Sequence, residues 1–208
     1  MLFRSRRRAR SCYDSSRRVV VVSVVAGANR AMSSLSTAAF EVEVVEIGPG
    51  TIWDDGTVRI TAVAVAHQPV KDAFGFVFEA GGRKLAFSGD TAYCPALVEA
   101  ARGADALVHE CFIHREMKPS ASRSPEGMRN VAAYHTAPAE AGRVAREAGV
   151  RLLVLNHFVP TRFDRAALVA EVREAWRGPL VVGEDLMSYD CATRMLAHRD
   201  ARLSFSLD

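Results

Sequence analysis

The stretch Lys84-Leu85-Ala86-Phe87-Ser88-Gly89-Asp90-Thr91 joins a short hydrophobic run to a glycine and a carboxylate. A strand that ends in this way places Asp90 at the carboxyl edge of a sheet, where open α/β folds bind their ligands. Gly89 permits the tight turn that directly follows the buried strand. The stretch therefore predicts both a β-strand and a functional edge.

Three further hydrophobic runs end on residues that bind metals or transfer protons. Residues 106–108 lead into His109-Glu110, residues 130–134 into His135-Thr136, and residues 152–155 into Asn156-His157-Phe158. Imidazole and carboxylate groups are the usual metal ligands and general acids or bases of enzymes. We expect these groups to meet Asp90 at one edge of a sheet.

The order of the remaining elements predicts a mixed α/β fold over residues 39–208. Strand-like runs separated by turn signals come first, at residues 40–47, 58–66, 74–79 and 84–88. Helical and strand-like segments then alternate: helices at 95–102, 138–148 and 165–177, and strands at 104–109, 150–155 and 180–183. Antiparallel hairpins followed by alternating strands and helices indicate mixed sheets with helices packed on them.

Residues 1–38 differ from the rest, with eight arginines against the single acid Asp14. Because the whole chain carries +3, the other residues carry −4, so the basic pI is weak evidence for a nucleic-acid-binding domain. Three interpretations remain open: a signal or transit peptide, a disordered basic tail, and a non-native start placed upstream of a truncated gene.

The four cysteines (Cys12, Cys94, Cys111 and Cys191) are far apart and form no CxxC pair. This spacing favours reduced thiols and a cytoplasmic protein over a disulfide framework or a zinc ribbon. No apolar run reaches the roughly 20 residues that a membrane span needs, so we expect no membrane partner.

Taken singly, each candidate residue also has a structural interpretation. Asp90 is either a ligand for a metal or an N-cap of the following segment. His157 is either a metal ligand or a packed strand-end residue, and His67, after the strand at residues 58–66, is a candidate for the same edge.

Only one of His109 and Glu110 can face the site, because successive strand residues point to opposite sides. Glu110 is a candidate acceptor that orients an imidazole, or else half of a buried hydrogen-bonded pair. His135 precedes a helix with Thr136 as a plausible N-cap, and it is a candidate proton donor to a leaving group.

In their order and spacing the four motifs resemble the metallo-β-lactamase superfamily, and within it the ribonuclease Z and arylsulfatase-like branch. The resemblance covers about residues 40–190 and includes Phe74-Gly75-Phe76. It implies the C-terminal half of an αββα sandwich. It also implies that Asp90 is the carboxylate that bridges two zinc ions, that His157 is the last metal-binding histidine, and that His135 is catalytic with Glu110 as its partner.

The family's His-x-His-x-Asp-His motif has no counterpart in this sequence, nor does its further histidine unless His67 is that residue. The resemblance therefore implies a metal-dependent hydrolase of a phosphodiester or small ester, including RNA, whose activity is impaired by missing zinc ligands. The alternative is a catalytically inactive truncated remnant or a binding module. The substrates left open are a tRNA precursor, a cyclic nucleotide, a sulfate ester and a lactone. An exposed apolar sheet face would favour homo-oligomers.

Overall fold

The computed structural model describes residues 20–22, 44–120 and 124–205. The chain divides into two compact units, one before Gly48 and one from Gly48 onward. In the first unit, β1 (Val20–Val22) pairs antiparallel with β2 (Val44–Glu46), which is part of the strand predicted at residues 40–47. Apart from residues 20–22, the predicted leader at 1–38 lies outside the described residues, as do residues 40–43.

The second unit is built on a seven-stranded mixed sheet whose strands are neighbours in chain order. The strands are β3 (Gly50–Asp54), β4 (Val58–Ala64), β5 (Phe74–Ala80), β6 (Arg83–Phe87), β7 (Ala106–Phe112), β8 (Leu153–Val159) and β9 (Leu180–Val182). Pairing is antiparallel from β3 to β6 and parallel from β6 to β9. The predicted change from hairpins to alternating strands and helices is thus confirmed.

The described part of the chain contains four α-helices: α1 (Pro95–Ala100), α2 (Pro125–Ala132), α3 (Pro138–Ala148) and α4 (Arg165–Arg173). Helix α3 has its predicted bounds, because Pro138 fits the first helical position and Gly149 ends the helix at φ 60°. Among the residues that the structure describes, none of these helices has the length and apolar character to span a bilayer.

The run at residues 130–134 is not a strand, which corrects one of the four strand-end predictions. These residues include the end of α2, a helix that begins at Pro125 after its N-cap Ser124, whose side chain accepts the Gly127 N–H. Short apolar runs do not distinguish a strand from a helix segment by periodicity alone. His135 therefore reaches the sheet edge from a helix–helix connection.

The main core lies between the sheet and the helices. Leu107 on β7 and Leu155 on β8 are fully buried there beside Leu97 of α1 and Val144 of α3. Burial of each leucine stabilises the fold by ~2 kcal/mol relative to an exposed side chain. This helix-side layer holds β6, β7 and β8 in parallel, so that their carboxyl ends meet at one edge.

Among the described residues of the second unit, the cover of the opposite face lies at one end of the sheet. A small antiparallel sheet of β10 (Ser188–Asp190), β11 (Met195–His198) and β12 (Ala201–Ser204) packs there through Leu196 onto Ala106, Leu152 and Val181. We call this face of the seven-stranded sheet the inner face.

Candidate metal centre

Three side chains from different segments meet at the carboxyl edge of the sheet. Asp90 follows β6, His157 lies in β8, and His135 lies between α2 and α3. Each offers one ligand atom, and these three atoms lie within 4.8 Å of one another. The Nδ1 atom of His157 is 3.6 Å from Oδ1 of Asp90. The predicted convergence of these residues is therefore observed.

A glycine turn brings Asp90 to the edge. Gly89 has φ 60°, a left-handed conformation that side chains adopt with strain, and an added Cβ would collide with the Phe74 carbonyl oxygen. Helix α1 begins only after its N-cap residue Cys94, so Asp90 does not cap it. Of the two interpretations left open by the sequence, the N-cap is excluded.

A β-bulge turns His157 toward the inner face. Glu110 is paired with Asn156 and Cys111 with Phe158, so His157 is the additional residue on β8. His157 has φ 45°, an uncommon value for a residue with a side chain. Without the bulge, strict alternation would direct His157 to the same face as buried Leu155.

Glu110 orients His135 through a buried hydrogen bond. The Oε1 atom of Glu110 lies 2.8 Å from Nδ1 of His135 and accepts the Thr91 N–H at 2.9 Å. When Glu110 is ionised its oxygens can only accept, and the proton between Oε1 and the ring then belongs to Nδ1 of His135. The lone pair on Nε2 of His135 is then available for a metal or a proton.

His109 lies on the opposite side of β7 from Glu110, as strand alternation requires. The side chain of His109 is fully buried, with Nδ1 2.9 Å from the Glu110 carbonyl oxygen. Its Nε2 atom has no hydrogen-bond partner among the described residues. His109 is thus excluded from the edge, and Glu110 is the member of the pair that faces it.

His67 also lies beside the cluster. Its ring centroid is 4.9 Å from that of His135, and its Nδ1 is 3.1 Å from the carbonyl oxygen of Tyr134. Since a carbonyl can only accept, Nδ1 of His67 carries the proton and Nε2 keeps its lone pair. The only sequence signal for His67 was its position directly after the strand predicted at residues 58–66.

Thr91 connects the segments of the site, a role that sequence reasoning missed. Its N–H binds Glu110, its Oγ1 accepts the Ala66 N–H at 3.0 Å, and its carbonyl oxygen accepts the Thr136 hydroxyl. Thr136 is therefore not the predicted N-cap of α3, which is Ala137. Nothing in the local pattern around Thr91 signals these three distant partners.

Burial controls the protonation of the site. It raises the pKa of Glu110 to about 8, an effect opposed mainly by the Thr91 N–H hydrogen bond. Burial also lowers the pKa of His135, and the neighbouring His67 lowers it further. Burial lowers the pKa of His109 to about 4. The imidazoles of His135 and His109 are consequently neutral near pH 7, and neutral imidazole is the form that binds metals.

The donor set at the edge fits a zinc ion. Imidazole nitrogens and a carboxylate oxygen are zinc ligands, and a catalytic zinc commonly has three protein ligands. The hydrogen bond from Nδ1 of His135 to Glu110 supports this histidine either as a metal ligand or as a proton carrier. Asp90 and His157 are partly exposed, which leaves access for an ion and a substrate.

Comparisons with known proteins agree with this architecture. The model of the family described as "Beta-lactamase superfamily domain" matches residues 10–158. Ribonuclease Z of Mycobacterium marinum is 34% identical over 154 residues, which are 70% of this chain and 52% of that protein. Ribonuclease Z of Myxococcus xanthus is 40% identical over 138 residues, which are 66% of this chain and 38% of that protein.

A solved structure has the same fold. The metallo-β-lactamase fold protein YhfI from Bacillus subtilis aligns with a TM-score of 0.54 and 23% identity, covering 67% of this chain and 52% of YhfI. The chain thus spans about half the length of the Mycobacterium marinum enzyme and of YhfI. The family match covers most of the chain, and the structure has the predicted mixed α/β fold. The chain therefore belongs to the metallo-β-lactamase superfamily.

Proposed function

We propose that this chain carries part of the zinc site of a hydrolase that cleaves a phosphodiester or a related ester, with RNA among its candidate substrates. The observation that carries the proposal is the convergence of Asp90, His135 and His157 at one sheet edge. The names of the ribonuclease Z relatives support the phosphodiester class.

In this proposal Asp90 and His157 hold the metal, and His67 is an additional ligand. Support for His67 comes from the Tyr134 carbonyl oxygen, which holds Nδ1 and leaves Nε2 free. A bound zinc ion supplies Lewis-acid chemistry and an acidified water near neutral pH. The partial exposure of Asp90 and His157 gives the reacting ester access to the same edge.

His135 is proposed as the proton carrier of the reaction. Its free Nε2 would take up a proton from the attacking water and pass it to the departing oxygen as the ester bond breaks, while Glu110 keeps the ring in place through Nδ1. When Glu110 is ionised, the same contact stabilises the imidazolium form that exists between the two transfers. The stacking of Phe112 on the His135 ring, with centroids 5.5 Å apart, limits its rotation.

The test separates a ligand from a proton carrier. Purified chain is loaded with zinc, the bound metal is measured by atomic emission, and hydrolysis of bis(4-nitrophenyl) phosphate is followed. We expect Asp90→Asn to lose both zinc and hydrolysis, and His135→Ala to keep zinc and lose at least 100-fold in rate. His114→Ala, on an exposed residue, is the matched control.

Loss of zinc in His135→Ala would instead assign His135 to the metal. Full zinc loading of the unaltered chain without any hydrolysis would refute the enzymatic part of the proposal. That outcome would favour the alternative of an inactive remnant or a binding module.

A further inference from the structure

A second group of polar side chains lies outside the metal centre, where the loop after β6 meets α3. The hydroxyl of Tyr93 donates to Oε2 of Glu147 at 2.6 Å. Nε of Arg143 donates to Oε1 of the same carboxylate at 2.7 Å, and its guanidinium carbon lies 4.2 Å from the centroid of the Tyr93 ring. Arg143 and Glu147 belong to α3, whereas Tyr93 precedes α1. We call these three residues the Tyr93 cluster.

The charges of the Tyr93 cluster strengthen its contacts. The hydrogen bonds from Tyr93 and Arg143 lower the pKa of Glu147, and the Glu147 acceptor raises the pKa of Tyr93. At neutral pH an ionised carboxylate therefore accepts from a protonated phenol, which gives a stronger hydrogen bond than two neutral groups do. The Arg143 guanidinium over the ring adds a cation–π contact. The Tyr93 side chain is thus held to α3 through both its hydroxyl and its ring.

The loop that contains Tyr93 also carries Asp90. Among the described residues the Asp90 carboxylate accepts no hydrogen bond, and its contact with Nδ1 of His157 is 3.6 Å long. The position of this carboxylate is therefore set by the backbone of residues 89–94. Whatever holds that backbone also determines where Asp90 lies.

Two hydrogen bonds between described residues attach this loop to the segment that runs from His135 through α3. The Thr136 hydroxyl donates to the Thr91 carbonyl oxygen just before α3 begins, and Tyr93 donates to Glu147 close to where α3 ends. Ten helical residues at 1.5 Å each place these attachments on the order of 15 Å apart along the helix. One attachment alone would let the loop pivot, whereas two distant ones fix its direction relative to α3.

We propose that Tyr93 is a positioning residue for the metal centre: held by Glu147 and Arg143, it fixes the Asp90 loop against α3 and thereby sets the separation of Asp90 from His135. Zinc affinity depends on this separation, because each ligand atom must approach the same ion to about 2 Å. The effect on zinc rests on the proposed function, in which Asp90 is a ligand. The effect on the loop does not.

The test begins with Tyr93→Phe, which removes the hydroxyl and keeps the ring beside Arg143. In chelator, we expect the Thr91 and Ala92 amides, which donate to Glu110 and Ala66, to exchange hydrogen about 3–10-fold faster. Zinc affinity in competition titrations should fall about 3–10-fold, the effect of one lost hydrogen bond. Tyr189→Phe is the matched control and should change neither quantity, because its hydroxyl has no partner among the described residues.

Substitutions of Glu147 separate positioning from a general loss of stability. Glu147→Gln still offers an oxygen to the Tyr93 hydroxyl, so its zinc affinity should stay within about twofold of that of the unaltered chain. Glu147→Ala removes the acceptor and should match Tyr93→Phe. The double variant Tyr93→Phe/Glu147→Ala should lose no more zinc affinity than either single variant, because both changes remove the same hydrogen bond.

The proposal is overturned if Tyr93→Phe leaves either the exchange of the two amides or the zinc affinity as in the unaltered chain. It is also overturned if the losses of the two single variants add in the double variant. An unaltered chain that binds no zinc would refute the proposed function. Amide exchange in chelator needs no zinc and would then still decide whether Tyr93 positions the loop.

Discussion

His157 combines a left-handed backbone, at φ 45°, with a side chain that is 46% exposed. We predict that, in the absence of metal, the free energy of unfolding of His157→Gly is higher than that of His157→Ala. A residue with a Cβ loses roughly 1–2 kcal/mol in the left-handed region. Glycine relieves this strain. It also costs roughly 0.5–1 kcal/mol relative to alanine, because the unfolded chain has more conformational entropy to lose. The net advantage of the glycine variant is therefore about 0.5–1 kcal/mol.

Losses other than strain cancel in this comparison. Both variants remove the same imidazole, including its 3.6 Å contact with Asp90, which is partly exposed and contributes at most about 1 kcal/mol. Asn156 is the matched control, because it is the adjacent exposed residue and its φ is not positive. There the order reverses, and Asn156→Ala should be more stable than Asn156→Gly by about 0.5–1 kcal/mol.

The assay is urea unfolding in the presence of a chelator, repeated with zinc in excess. With zinc at 100 times its dissociation constant, the unaltered chain should gain about 2.7 kcal/mol, and both His157 variants should lose most of that gain. If His157→Gly is no more stable than His157→Ala in chelator, the strain argument is wrong. If both variants keep the zinc-dependent gain, His157 is not a ligand.

Two further predictions concern the end of β7. Burial lowers the pKa of His109 to about 4, so as pH falls from 6.5 to 4 the unfolded chain binds a proton that the folded chain excludes. The unfolding free energy of the unaltered chain, measured by urea titration, should therefore fall over this range by about 3 kcal/mol more than that of His109→Leu. The same pH dependence in both proteins would contradict this prediction. Glu110→Gln should lower the rate of ester hydrolysis about 10–100-fold and leave zinc affinity unchanged in competition titrations, because its partner His135 is the proposed proton carrier. Glu99→Gln, on the exposed partner of Arg102, should change neither quantity.

The sequence was sufficient for the elements whose signals are local. Helix α3 was predicted with its exact bounds because proline and glycine mark its two ends. Asp90 was placed at the sheet edge because glycine directly after a buried strand permits a tight turn there. The run before His135 was misassigned because five residues are too few to distinguish helical from strand periodicity. Thr91 was missed because its partners at Ala66, Glu110 and Thr136 are distant in the chain.

The β-bulge at His157 could not be predicted, since bulges depend on pairing between strands and not on one strand's own pattern. It adds to other unfavourable features at the ends of β7 and β8. Neither the buried Oε2 of Glu110 nor the buried Nε2 of His109 has a hydrogen-bond partner within residues 20–22, 44–120 and 124–205. The other left-handed residues with side chains, Leu186, Arg194 and Arg199, lie in turns flanking the strands of the small C-terminal sheet.

Unpaired buried groups and backbone strain each cost about 1–3 kcal/mol, and they persist where the surrounding structure enforces them. Here they concentrate on two strand ends that also carry a candidate metal ligand and the carboxylate that orients His135. A chain that no longer used this edge would gain stability by losing the bulge or replacing Glu110 with an apolar residue. Because strain and unpaired buried groups of this kind cluster at functional sites, these two strand ends are where the hydrolase proposal is best tested by substitution.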